Sequence, residues 1–182
     1  MKYDYEKMSK IYKDISECGN SCEELKKYDI DISKDLLRTF PKVPQFASNS
    51  TYPMVSDMSE NQQRLSRVLS AFAYYDHGIG YMQGMNFIMA SIMYHCNEEV
   101  AFWVFVQLMQ QDVRSVYEPP NMPGLAHHVK TLEAIIHHEL PKLNFHILEN
   151  LNLATHQIYL HDWIICLFTS IMPINRNLEF II

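Results

Sequence analysis

At 182 residues, 48% apolar and 20% charged, the chain is long enough to enclose a sizeable core and too apolar for a disordered composition. Its formal charge of −6, with no cluster of Lys or Arg, argues against nucleic acid or an anionic membrane surface as the main partner. Four scattered cysteines exclude a disulfide framework, the charged and aromatic N-terminus is no signal peptide, and no apolar span is long enough for a transmembrane segment, so the sequence reads as soluble and cytoplasmic.

In chain order, Tyr5, Met8, Ile11, Tyr12 and Ile15 recur at helical spacing and predict a first helix that Gly19 and Asn20 stop. Residues 21–28 predict a short, charged surface helix, with Ser21 as cap and Glu24 three residues on. In the segment 30–41, Asp35 and Arg38 stand three apart and share a face of a helical turn, and Pro41 and Pro44 close it. Residues 43–58, rich in Pro, Ser, Asn and Thr and without a period, read as a loop.

Ser59 and Gln62 form a capping box ahead of the stripe Leu65, Val68, Leu69, Phe72, Ala73. This helix is expected to end near Asp76-His77-Gly78, with Gly78 as a left-handed terminal residue. Residues 78–94 then open on two glycines and become almost wholly apolar, which predicts a central helix packed around its whole circumference. Gln83 and Asn86, set into its first turns, are anomalous there. A buried amide needs partners, so each either ties down neighbouring backbone or faces something outside the chain.

Glu98 and Glu99 start the next helix, whose inner face is Phe102, Phe105, Val106 and Met109. Prolines make residues 118–124 a loop; Leu125, Val129, Leu132, Ile135 and Ile136 mark a further helix halted by Pro141, and a shorter one covers residues 145–151. The last strong pattern is Trp163, Ile164, Leu167, Phe168 and Ile171, ending at Pro173, with Asn175 able to cap one more helix. No strand alternation of convincing length occurs, so the fold class is all-α, a single multi-helix domain.

Arginine is an always-charged fork of donors suited to phosphate oxygens, and glutamine can hold a water by donating and accepting at once. An exposed Arg presented together with an exposed Gln is therefore a kit for phosphoryl chemistry, where stabilising charge and placing water do most of the catalysis. Arg38 beside Asp35 can equally be an ordinary ion pair. The doublets His127-His128 and His137-His138 lack ligand spacing and read as solvated helix faces, and the methionines of the central helix as core.

Two of these segments resemble a known family. Ile32-x-x-Asp35-x-x-Arg38-Thr39-Phe40-Pro41 resembles the first signature of TBC domains, the Rab GTPase-activating proteins, and Tyr81-x-Gln83-Gly84-Met85-Asn86 resembles the second. The likeness extends to Leu65-Ser-Arg67-Val68-Leu69-Ser-Ala71-Phe72 and to Ala101-Phe102-Trp103. The resemblance implies an all-helical fold, with residues 1–29 a helical lead-in and 30–182 the TBC-like domain, lacking part of its C-terminal helical lobe. It implies a dual finger acting in trans: Arg38 neutralises charge developing on the transferring phosphoryl group, and Gln83 replaces the GTPase's own glutamine in orienting the attacking water. Asp35 would orient Arg38, Tyr81 would pack and aim Gln83, and Thr39, Gly84 and Asn86 would shape the two loops. The implied partner is a GTP-bound Rab, which brings the GTP and Mg²⁺, so the chain needs no cofactor or metal of its own and reaches endomembranes peripherally through that partner. The alternative is a catalytically silent Rab-binding module or scaffold of the same fold.

Overall fold

The computed structural model describes residues 23–47, 58–111, 113–150 and 157–176, together with Lys7 and Lys10. The remainder of the expected first helix, Ser21, Cys18, Cys22 and part of the expected loop after Val43 lie outside the described residues. Among the described residues all regular structure is helical.

Helix α1 (Glu23–Arg38) runs without a break through both segments that the sequence divides at residue 29. Ile32, Asp35, Leu36 and Thr39 fall on one buried stripe at helical spacing. The helix stops ahead of Pro41, where Phe40 takes a left-handed conformation (φ 45°) and wedges its ring against Phe87 at 5.3 Å. Helix α2 (Glu60–Tyr75) begins with the expected capping box: the Gln62 amide donates to Ser59 Oγ at 3.3 Å, and the Ser59 amide donates to Gln62 Oε1 at 2.9 Å. Gln62 is buried, and its Nε2 also donates to the Leu36 carbonyl at 3.2 Å. One side chain thus starts α2 and satisfies the last turn of α1, just below Arg38.

Helix α3 (Met85–Met93) is the central helix, with Met85, Asn86, Ile88, Met89, Ala90, Ser91 and Ile92 all buried. It is shorter than the apolar run implies, because residues 78–84 form turns. Gly78 is not left-handed; Gly80 and Gly84 are. Helix α4 (Glu98–Met109) starts on Asn97, whose Oδ1 accepts the Val100 amide at 3.0 Å, and buries Ala101, Phe102, Phe105, Val106 and Met109. Phe72 of α2 meets Phe105 edge-to-face at 4.7 Å. Helices α1 to α4 pack on one another as a first group that holds most of the core.

A second group follows. It comprises α5 (Arg114–Tyr117), α6 (Pro123–Glu139), α7 (Pro141–Phe145) with a π-turn over His146–Asn150, and α8 (Gln157–Ile165). Pro123 and Pro141 sit at helix starts, where a missing amide hydrogen costs nothing. The two His doublets of α6 are exposed, as expected. Helix α8 ends earlier than its pattern implies, because Leu167 and Phe168 turn left-handed (φ 47° and 61°) and leave Ile171 exposed. A single 3-10 turn, Ile174–Arg176, closes the last described segment, and the helix that Asn175 could cap would lie beyond it, outside the described residues. No helix of the described residues is long and apolar enough to cross a membrane.

Replacing Gln62 by Ala leaves the Leu36 carbonyl with the Thr39 amide, at 3.2 Å, as its remaining donor and removes half of the capping box. Urea unfolding of Gln62→Ala is expected to show a loss of about 1–3 kcal/mol, with an unchanged denaturant slope.

Candidate active site

The site is assembled around the carboxylate of Asp35, three residues before Arg38 on α1 and almost wholly buried. Its Oδ1 accepts from the Arg38 guanidinium (Nη2) at 2.6 Å, and its Oδ2 accepts from the Tyr81 hydroxyl, also at 2.6 Å. A charge out of water is tolerable only when paired and hydrogen-bonded, and both oxygens are satisfied here by charge-assisted bonds. The Arg38 side chain remains 50% exposed, so Asp35 fixes one corner of the guanidinium and leaves other donors facing solvent.

Tyr81 is buried in the loop that carries Gln83. Burial, and then the hydrogen bond to Asp35, push its phenol well above the ordinary tyrosine range, so it stays a donor. Nearby, Cys166 is pushed up to about 11, chiefly by burial, and stays a neutral thiol at pH 7.

The backbone of the Gln83 turn is held from below. Asn86 Oδ1 accepts the Gly84 amide at 3.1 Å, and its Nδ2 donates to Thr39 Oγ1 at 2.8 Å. Thr39 Oγ1 donates in turn to the Asp35 carbonyl at 2.7 Å, and both Thr39 and Asn86 are fully buried. Gly84 has φ 99°, and a Cβ there would stand 2.5 Å from the Ile165 carbonyl oxygen, so a side chain is excluded by conformation and by space. Gly80 is left-handed too, with the Tyr28 ring occupying the place of its missing Cβ.

The two amides that were anomalous in the sequence therefore divide the alternatives between them. Asn86 ties down backbone, while Gln83 is exposed and makes no side-chain hydrogen bond among the described residues. Arg38 and Gln83 line one open cleft of about 700 Å³, with Asp35 and Tyr81 in its wall. Thr39, Gly84 and Asn86 lie behind that wall. Asp31 and Lys34, one turn earlier on α1, and His77 also face the cleft and were not singled out in the sequence. Nor were Asp76 and Arg114, an ion pair at 2.6 Å across 38 residues, for which the sequence carries no local signal. Among the described residues no group of three His, Cys, Asp or Glu side chains is placed to hold a metal ion.

The Rab-GTPase-TBC domain family model matches residues 1–181, and the chain belongs to that family. It is 33% identical over 149 residues to human growth hormone-regulated TBC protein 1, covering 81% of this chain and 41% of that protein. It is 31% identical over 149 residues to the Caenorhabditis elegans Rab GTPase-activating protein eat-17, covering 81% of this chain and 15% of that one. The chain thus spans less than half the length of either relative. The crystal structure of the Ypt/Rab-GAP domain of Gyp1p shares the fold, with a TM-score of 0.67 at 19% identity, over 94% of this chain and 58% of the Gyp1p chain.

Tyr81→Phe leaves Asp35 Oδ2 without its donor, and the expected cost is about 1–3 kcal/mol in chemical denaturation. The same substitution tests a pH effect. The folded pKa of Tyr81 is raised, so its contribution is complete below the unfolded value of about 10 and is lost as pH rises above it, where only the unfolded chain releases the proton. Urea midpoints followed from about pH 9 to 11 should fall more shallowly in Tyr81→Phe than in the wild type. The buried Tyr117, shifted in the same direction by burial, accounts for part of the slope that remains.

Proposed function

We propose that this chain is a GTPase-activating domain that accelerates GTP hydrolysis by a Rab-family GTPase, using Arg38 and Gln83 supplied in trans. The observation that carries the reading is that one cleft receives an exposed Arg and an exposed Gln whose supports converge on Asp35. Tips that are free and bases that are fixed suit a finger: the side chain enters a partner's site without an ordering cost in its backbone.

In this reading the partner supplies GTP and Mg²⁺, and the chain supplies no cofactor. Arg38 places guanidinium donors on oxygens that gain charge as the terminal phosphoryl group leaves, with Asp35 holding the orientation of the fork. Gln83 accepts from and donates to the attacking water. An arginine finger in trans is worth ~10³–10⁵ in rate, or about 4–7 kcal/mol of barrier. Encounter with a membrane-bound Rab would bring the chain to endomembranes peripherally.

Single-turnover hydrolysis across a panel of GTP-loaded Rabs tests this. Wild type should accelerate at least one member. Arg38→Ala should remove ~10³-fold or more of that acceleration and Gln83→Ala ~10²–10³-fold, with Rab binding retained in both. Tight binding with no acceleration would make the chain a Rab-binding module. Neither binding nor acceleration, from a folded chain, would reduce Arg38 and Asp35 to a structural ion pair.

A further inference from the structure

Gln83 has no side-chain bond to aim it among the described residues, so its direction depends on the backbone of residues 76–84. That backbone starts at Asp76, the residue that ends α2. The Asp76 carbonyl accepts the amides of Ile79 at 3.2 Å and Gly80 at 2.7 Å, and its Oδ1 accepts the amide of Gly78 at 3.2 Å. Asp76 thus organises the approach to the turn almost alone.

Asp76 is itself held from the second helical group. Arg114 of α5 grips it with two guanidinium nitrogens, Nη1 to Oδ2 at 2.6 Å and Nη2 to Oδ1 at 3.4 Å. The Asp76 side chain is 19% exposed and that of Arg114 36%, so this is a forked pair only partly open to solvent. The guanidinium lies tight against the loop, 3.2 Å from where a Cβ on Gly78 would be. Three residues further along α5, the buried Tyr117 hydroxyl donates to the Ile165 carbonyl at 2.5 Å, the same carbonyl on which Gly84 packs. One short helix therefore braces both ends of the turn. Arg114 is not among the residues that line the cleft and meets it only through the loop at Gly78.

We infer that Arg114 is a positioning residue: through its forked pair with Asp76 it aims Gln83 into the cleft. The catalytic consequence rests on the GTPase-activator reading; the brace itself does not. The test uses Arg114→Ala, Arg114→Lys and Asp76→Asn, each alone and combined with Gln83→Ala. Two readouts are taken: turnover and KM for a stimulated GTP-loaded Rab, and amide hydrogen exchange of the free chain. Arg114→Ala should lower kcat about tenfold to a hundredfold while KM stays within about threefold. Arg114→Lys should recover part of that loss, and Arg114→Ala should add nothing once Gln83 is Ala. Asp76→Asn keeps an acceptor for the Gly78 amide and lacks the charge, so it should behave as Arg114→Ala does. The amides of Gly78, Ile79 and Gly80 should exchange faster in Arg114→Ala, with those inside α3 unchanged. Unaltered turnover, a loss additive with Gln83→Ala, or unaltered exchange at these amides would each overturn the inference. A wild type that stimulates no Rab would sink the activator reading, and exchange alone would then decide whether Arg114 braces the loop.

Discussion

A carboxylate withdrawn from water sets the geometry of this molecule. Asp35 can stay buried only if both oxygens find donors, and one donor is Arg38 on its own helix while the other, the Tyr81 hydroxyl, arrives from 46 residues away. Satisfying that group brings the end of α1 and the loop before α3 into register. Breaking either contact leaves one buried carboxylate oxygen without its donor, which is costlier than losing one surface interaction. The position of Arg38 and the course of the chain toward Gln83 are therefore two consequences of one electrostatic requirement.

A second, neutral tie runs beneath the first. Thr39 and Asn86 join the Asp35 carbonyl to the Gly84 amide through fully buried groups, so the turn that exposes Gln83 is hydrogen-bonded to the helix that exposes Arg38. The charged tie acts at the side chains and the neutral one at the backbone. Neither consumes the tips, since Arg38 keeps donors in solvent and Gln83 keeps its whole amide. Rigid bases with uncommitted ends lower the ordering cost of engaging another molecule.

Much of this was legible in the residues, because local chemistry leaves local patterns. The capping box of Ser59 and Gln62, the stripe of α2 and the shared face of Asp35 and Arg38 rest on spacings of three and four, the acidic start of α4 on the helix dipole, and all stand in the structure. The errors arose where composition hid conformation. Residues 78–94 are so uniformly apolar that no period separates turn from helix, and the left-handed Gly84 that begins α3 sits inside that run. The stripe from Trp163 to Ile171 likewise keeps helical spacing across Leu167 and Phe168, although both turn left-handed. Long-range partners were out of reach in kind: nothing near Asp76 in the sequence points to Arg114, and nothing near Gly84 points to Ile165.

These distant contacts make the two exposed side chains unequal. Arg38 is held wholly within the first group of helices, by Asp35 on its own helix and by the Gln62 bond that closes the same turn. Gln83 sits where the groups meet: Asp35, Thr39 and Asn86 support it from one side, and Arg114 and the Ile165 carbonyl from the other. The second group contributes less core, since only Leu125 and Val129 of the long helix α6 are buried, so it is the part of the fold with less to keep it in place. Loosening there would reach the Gln83 turn through Asp76 and Gly84, contacts that the Asp35–Arg38 pair does not itself make. If the two side chains act as fingers, the ordering of water is the element of catalysis most exposed to changes in the second group, and the stabilisation of phosphoryl charge the one best insulated from them.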